Sequence, residues 1–318
     1  MKTIIEKKQI KEWLEELKKD FKVFDVRKSV LPAKQYLFPT KEKTFVFNNK
    51  SGELKTPENN KKDFIVFGLD LEDLEAMTQL DEIMNTPEPD FFYWQRREKS
   101  ILVGLVDYSK DILPGGDIVL QKINKNQYKI RVLTEKGEQI RKSKFFKKTE
   151  DLKIKEYKKE KCEFKKLLLD PELLHDAVKW SKDLKIWDEL GEKCLGCGNC
   201  TYVCPICHCF SIEDRVGLDG KTCTRCRYWD ACTLPEFGEV TGPPTPKGEF
   251  RRASGHNFHK TIKERYYNWY YHKFVRAYKE YGKAQCVDCG RCHRYCPAGI
   301  DIEEVVIEIC KTYISQTK

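Results

Sequence analysis

Two copies of one cysteine pattern constrain this chain more than anything else in it: Cys194-x2-Cys197-x2-Cys200-x3-Cys204-Pro205 and Cys286-x2-Cys289-x2-Cys292-x3-Cys296-Pro297. Cysteines at intervals of three set three thiolates along a tightly curling loop, where they can take three corners of a cubane. The proline after the fourth cysteine turns the chain away, so the fourth corner is met from elsewhere. In paired runs of this kind the last cysteine serves the other cluster. The pattern therefore predicts two 4Fe-4S clusters. One is held by Cys194, Cys197, Cys200 and Cys296, the other by Cys286, Cys289, Cys292 and Cys204. Zinc is the competing reading, but a four-ligand zinc site gains nothing from a third evenly spaced cysteine followed by Cys-Pro.

Fifteen cysteines would also suit a secreted disulfide scaffold, but fourteen of them lie after residue 190, whereas such scaffolds are short and cysteine-dense throughout. The opening segment MKTIIEKKQIKEWLEELKKD mixes acids and lysines and lacks the apolar core of a signal peptide. The most apolar short run, Ile101 to Val106, is far too short to span a bilayer. A reducing, anaerobic cytoplasm and no membrane span are expected. Much of the net charge of +9 lies between Arg141 and Lys166. That run reads as a solvated connector or as a face that steers an acidic partner subunit. The aromatic run Tyr266 to Phe274 has the spacing of a helical core, and no nucleic-acid binding is expected from it.

The predicted fold class is α+β: an N-terminal mixed α/β domain over 1–160, then an α-helical ferredoxin-type iron–sulfur domain over 161–318. Ile5, Ile10, Trp13, Leu14 and Leu17 predict an amphipathic helix over 4–17. Strands are expected at Thr44–Phe47, Phe64–Phe67, Ile101–Val106 and Tyr128–Leu133, and a helix at Asp70–Leu80. This half carries no cysteine, histidine or glycine-rich phosphate loop before residue 160, and Pro114-Gly115-Gly116 reads only as a turn. Pro171–Leu184 predicts a helix leading into the first run. The stretch 205–285 between the runs exceeds any ordinary loop and must hold structure of its own. After Pro297, Asp301 with Glu304 offers a capping box for a helix bearing Val305, Val306, Ile309, Cys310 and Tyr313. Cys310 reads as core and Cys162 as a bystander.

The segments CPICHCF (Cys204–Phe210), WDAC (Trp229–Cys232), SGHNFHKTIKERYYNWYYHKFV (Ser254–Val275) and CVDCGRCHRYCPAGIDI (Cys286–Ile302) together resemble the iron–sulfur beta subunit of cytoplasmic nickel–iron sulfhydrogenases and its iron–sulfur relative in anaerobic sulfite reductase. In the N-terminal half YLFPTKEKTFVF, FGLDLEDLEAM and RREKSILVGLVD resemble the same family in the same order. The chain departs from the family at Leu69-Asp70-Leu71-Glu72, where an Arg-Pro-Cys-Asp stretch is common, and after Val106-Asp107-Tyr108, where cysteines are common. The resemblance implies an electron-transfer subunit without catalysis of its own. Its partners would be a subunit that binds flavin and NAD(P)H, on one side, and a metal-site subunit of the hydrogenase or reductase type, on the other. A catalytic reductase with an open iron–sulfur position for a sulfur compound is the alternative.

Five cysteines remain: Cys207, Cys209, Cys223, Cys226 and Cys232. The expectation is a third 4Fe-4S cluster on Cys207, Cys209 and Cys232. Its fourth ligand is His256, which sits in the family-like GHNF segment, or one of Cys223 and Cys226. A zinc site on Cys223, Cys226, Cys232 and one of Cys207 or Cys209, or simple burial of these thiols, competes with it. Asp230 and Asp288 read as loop acceptors for backbone amides rather than ligands.

Overall fold

The computed structural model describes residues 2–57, 62–107, 115–149, 162–240 and 256–317. Tyr108, Pro114, Ser254, Gly255 and residues 150–161 of the lysine-rich run lie outside the described residues. The chain is mixed α/β and divides into two compact units, Met1–Glu160 with Asp214–Cys226, and Lys161–Glu213 with Arg227–Lys318.

The first unit is built on a seven-stranded sheet. In chain order its strands and helices are β1 (Lys2–Glu6), α1 (Ile10–Leu17), β2 (Lys22–Asp25), β3 (Lys41–Asn48), β4 (Leu54–Lys55), β5 (Phe64–Leu69), α2 (Leu71–Ile83), α3 (Phe91–Lys99), β6 (Ser100–Val106), β7 (Ile118–Lys122), β8 (Gln127–Val132), α4 (Glu135–Gln139) and β9 (Lys147–Thr149). The sheet order is β2-β5-β6-β7-β8-β1-β9, parallel from β2 to β7 and antiparallel from β7 to β9. Alternate residues Ile65 and Phe67, Ile101 and Val103, and Ile118 and Leu120 bury one face against Trp13, Leu14 and Leu17 of α1. Asp70 starts α2 by accepting from the Asp73 amide at 2.7 Å. The helix then passes so close to the turn before β7 that a Cβ at Gly115 would lie 1.9 Å from the Leu74 carbonyl oxygen.

The expected helix over 4–17 fails at its start. Lys2–Glu6 is a strand hydrogen-bonded on both sides, Lys7–Gln9 is a 3₁₀ turn, and only Ile10–Leu17 is α-helical. The β-branched pair Ile4-Ile5 fits a pleated position between β8 and β9, and that pairing overrides the helical spacing.

The second unit is mainly helical: α5 (Glu163–Leu167), α6 (Pro171–Trp180), α7 (Ile186–Lys193), α8 (Asn199–Tyr202), α9 (Ile262–Tyr270), α10 (Ala277–Tyr281), α11 (Arg291–Arg294) and α12 (Ile302–Thr317). A hairpin, β10 (Phe210–Val216) and β11 (Thr222–Trp229), runs out of it, and its tip belongs to the first unit, where the Arg225 carbonyl accepts from the Thr44 hydroxyl at 3.1 Å. The expected helix over 171–184 stops at Trp180, because the Ser181 hydroxyl donates to the Val178 carbonyl and the Trp187 indole donates to the Ser181 carbonyl, both at 2.8 Å. Helix α9 begins with a full capping box between Thr261 and Glu264. Its aromatic run is core: Trp187 stands edge-on to Tyr267 and Tyr270 at 5.1 and 5.0 Å, and Tyr266 stacks on Trp269 at 5.8 Å. From Tyr271 to Arg276 the same helix widens into a π turn. Asp301 caps α12 by accepting from the Glu303 amide at 2.9 Å, and Cys310 is buried in the core of this unit.

Candidate iron–sulfur centres

The two cysteine runs fold alike. In the first, α7 ends at Lys193, Gly196 (φ 62°) and Gly198 (φ 78°) take left-handed backbone, and α8 follows with Cys200 in it. In the second, Asp288 (φ 56°) and Gly290 (φ 65°) take the same two places before α11, which holds Cys292. Two left-handed residues inside each run curl it so that successive thiols face inward. At Gly198 a Cβ would come within 2.9 Å of the Tyr202 ring and 3.0 Å of Ala231, so close packing also demands glycine there. The runs lie against each other, with the Asn199 side-chain amide donating to the Tyr295 carbonyl at 3.2 Å.

Two cavities open where the runs meet. The first is lined by Cys194, Cys197 and Cys200 of one run and Cys292 and Cys296 of the other, under Tyr266 and Trp269. The second is lined by Cys286, Cys289 and Cys292 and by Cys204 of the first run. Backbone amides point at the sulfurs: Gly196 donates to Cys194 and Ile300 to Cys296, each at 3.4 Å. The Asp288 and Arg291 amides likewise lower the pKa values of Cys286 and Cys289, though burial outweighs them. Burial pushes Cys200 and Cys286 up to about 12, and Cys292 well above its ordinary value. A ring of inward-facing sulfurs with amide donors behind it fits a multi-iron core, which is cationic apart from its ligands.

A lysine that no motif in the sequence singles out lies in the second cavity. Lys273 Nζ is 3.3 Å from Cys204 Sγ and 3.1 Å from the Gln285 carbonyl oxygen. Burial favours its neutral form, but Cys204, Cys207, Cys286 and Cys292 outweigh burial and hold its pKa well above the ordinary lysine value. The rim of the same cavity carries Asp288, Asp301 and Glu303, and His293 pairs with Asp301 at 2.6 Å. Burial, followed by a hydrogen bond with Asp288, pushes Glu303 up to about 7. Cys162, expected as a bystander, lies 3.8 Å from Asp288.

Cys207, Cys209 and Cys232 also come together. Cys207 is hydrogen-bonded to Cys204 and Cys232 to Cys209, and these contacts, ahead of burial, hold Cys207 and Cys232 well above the ordinary thiol range. The Asp230 amide donates to the Cys209 carbonyl at 3.0 Å, which ties the two segments together. His256 is exposed, sits opposite Val240 in a two-residue strand pair and packs its ring against Phe258 at 4.9 Å; no hydrogen bond or electrostatic interaction joins it to the three cysteines. The histidine electrostatics gather elsewhere. His208, between Cys207 and Cys209, and His259 both act on His272, whose pKa is pulled down to about 4 by burial first. The signal for this in the sequence is the alternation Cys-His-Cys at 207–209, where only the two cysteines were expected to matter. Cys223 and Cys226 lie on β11 within the first unit, Cys226 buried. Among the described residues no three His, Cys, Asp or Glu side chains gather tightly enough to hold a single metal ion; the thiols instead spread around the cavities.

A family model of a 4Fe-4S dicluster domain matches residues 193–300. Over 304 residues, covering 90% of this chain and 84% of the relative, the sequence is 29% identical to the sulfhydrogenase 2 subunit beta of Pyrococcus furiosus. Residues 193–300 thus resemble a 4Fe-4S dicluster domain, and most of the chain is similar to a sulfhydrogenase beta subunit. Both likenesses point to iron–sulfur chemistry at the two cysteine runs. The dicluster match spans both runs and both cavities, whereas the likeness to the sulfhydrogenase protein extends over most of the N-terminal unit as well. No solved structure matches the chain. Among the described residues no helix is long and apolar enough to cross a membrane.

Proposed function

We propose that the second unit is an α-helical ferredoxin-type module holding two 4Fe-4S clusters by exchanged ligands. In this reading the chain relays electrons between a subunit that binds flavin and NAD(P)H and one of the hydrogenase or sulfite-reductase type. The observation that carries this is the lining of the two cavities. Each draws cysteines from both runs, and Cys292 borders both. The second cavity has only Cys204, Cys286, Cys289 and Cys292, so it needs all four. Cys296 is then left to complete the first with Cys194, Cys197 and Cys200. When bound, each cluster supplies a one-electron carrier. The protein supplies the thiolates, the amide donors on sulfur and the aromatic wall that keeps water off the inner side. Exposed Leu195 and Cys197 bring one edge of the first site to the surface, where a partner's redox centre can approach. Cys207, Cys209 and Cys232 are proposed to hold a third cluster beside the second. The sequence offers His256 as its fourth ligand, but in the structure that side chain is exposed and packs against Phe258.

The test is anaerobic purification of the full chain, with iron, acid-labile sulfide and EPR spectra after reduction. At least two clusters per chain, no flavin and no nicotinamide bound, and no turnover with hydrogen or sulfite until a partner subunit is added would support the relay. Reduction of a sulfur compound by the isolated chain, with that compound perturbing a cluster's EPR signal, would favour the catalytic alternative.

A further inference from the structure

The residue that invites explanation is Lys273. It is 4% exposed, and none of the carboxylates among the described residues pairs with it. A buried ammonium without a counter-charge is strongly disfavoured, so its position calls for an anion. The nearest groups are sulfurs. Nζ donates to Cys204 Sγ at 3.3 Å and to the Gln285 carbonyl at 3.1 Å, and lies 5.1 Å from the centre of the Trp269 ring. The backbone repeats the tie, since the Gln285 amide donates to the Lys273 carbonyl at 2.8 Å. Lys273 is thus locked at both ends to the residue before Cys286. It is carried by the π turn of Tyr271–Arg276, a widening often found at functional positions because it re-aims one side chain. It lines the second cavity and not the first.

We propose that Lys273 selectively raises the reduction potential of the cluster held by Cys204, Cys286, Cys289 and Cys292. The inference rests on the ligand assignment proposed above. A cubane with four thiolates is an anion, and one-electron reduction adds one negative charge to it while no bond forms or breaks. A fixed ammonium at hydrogen-bond distance from a ligand sulfur stabilises the reduced form more than the oxidised one. Asp288, Asp301 and Glu303 on the rim act in the opposite sense. They are only partly buried and Asp301 is paired with His293, so water and counter-charge screen them more than they screen Lys273. The consequence is an uneven pair: the second cluster becomes the place where an electron rests, next to Cys207, and the first cluster the more reducing one.

The experiment is an EPR-monitored redox titration of the reconstituted full chain as wild type, K273R, K273M and K273Q, with iron measured on each. Expected is full iron in all four and a midpoint for the second cluster that K273R keeps near wild type. In K273M and K273Q it falls by at least a tenfold change in the reduction equilibrium, about 59 mV for a one-electron couple, with a smaller shift in the first cluster. Unchanged midpoints at full iron, equal shifts in both clusters, or a K273R shift as large as that of K273M would overturn the proposal. So would loss of the cluster in both neutral variants but not in K273R, which would make the charge an assembly requirement. C204S, run in parallel, tests the underlying ligand assignment: if both signals persist in C204S, that assignment fails whatever Lys273 does.

Discussion

Ligand exchange between the two runs can be tested without knowing in advance which EPR signal belongs to which cavity. Five variants suffice: C197S, C296S, C289S, C204S and C292S. Cys197 borders only the first cavity, and Cys289 and Cys204 only the second. Serine keeps the shape of the side chain but offers a poor ligand, so each variant should forfeit one cubane. That is a loss of about four irons per chain and the spin intensity of one cluster. If the runs exchange their last cysteines, C296S leaves the same residual spectrum as C197S, and C204S the same as C289S. C292S is the sharper case, because Cys292 borders both cavities. The second cavity cannot reach four thiolates without it, so C292S should match C204S. A C296S spectrum that coincides with that of C289S would refute the reasoning, since each run would then close its own cluster. Loss of about eight irons in C292S alone would show that Cys292 bridges the two sites and that the division of ligands is wrong.

Other outcomes follow from particular side chains. Iron analysis of the wild-type chain should give about twelve irons with negligible zinc if Cys207, Cys209 and Cys232 hold a third cluster; about eight irons, or one zinc, would remove it. In the first unit, G115A forces a methyl against the Leu74 carbonyl oxygen, a backbone atom that cannot swing aside. It should cost about 1–3 kcal/mol in denaturant unfolding, and an unchanged midpoint would argue against the close α2 approach. His272 has a folded pKa near 4 against 6.5 in the open, with burial as the main cause. The depressed value favours the folded state above pH 6.5, and this stabilisation fades as pH falls toward 4. Between pH 6.5 and 5 the loss amounts to about 2 kcal/mol at most. H272Q should abolish that part of the stability–pH slope, measured by thermal unfolding, and an identical slope in the variant would count against a buried neutral imidazole.

The cysteine runs were legible because their chemistry is local: ligand spacing and Cys-Pro are written in consecutive residues. Strands β5, β6 and β8 were legible for a similar reason, since apolar runs rich in β-branched residues, such as Ile65-Val66 and Ile101-Leu102-Val103, favour a pleated, half-buried strand. What escaped was set by distant partners. Ile4 and Ile5 look helical until β8 and β9 are known to flank them. The strand Phe210–Val216 has exposed Phe210, Ile212 and Val216, an alternation too weakly buried to announce a hairpin whose tip pairs in the other unit. Lys273 sits in an aromatic run that reads as ordinary helical core. It stands in the π turn with its ammonium 3.3 Å from Cys204 Sγ, and no periodicity in the sequence marks that widening.

Asp288 shows what decides the form of the cluster loops. It occupies the left-handed position that Gly196 fills in the other run, although a side chain there is disfavoured by about 1–2 kcal/mol and asparagine and aspartate are the residues that bear it best. If residue preference governed these loops, a glycine would be expected in both. The second run accepts the less favourable residue because its carboxylate is in use: it meets the Cys162 thiol at 3.8 Å and shares a hydrogen bond with Glu303 at the start of α12. The amide of that same residue turns toward Cys286, as the amide of Gly196 turns toward Cys194. The backbone is therefore what the two runs share, fixed by the need to present amides and thiols inward. The side chains at its left-handed corners are free to differ, and they make the surroundings of the two sites electrostatically unlike.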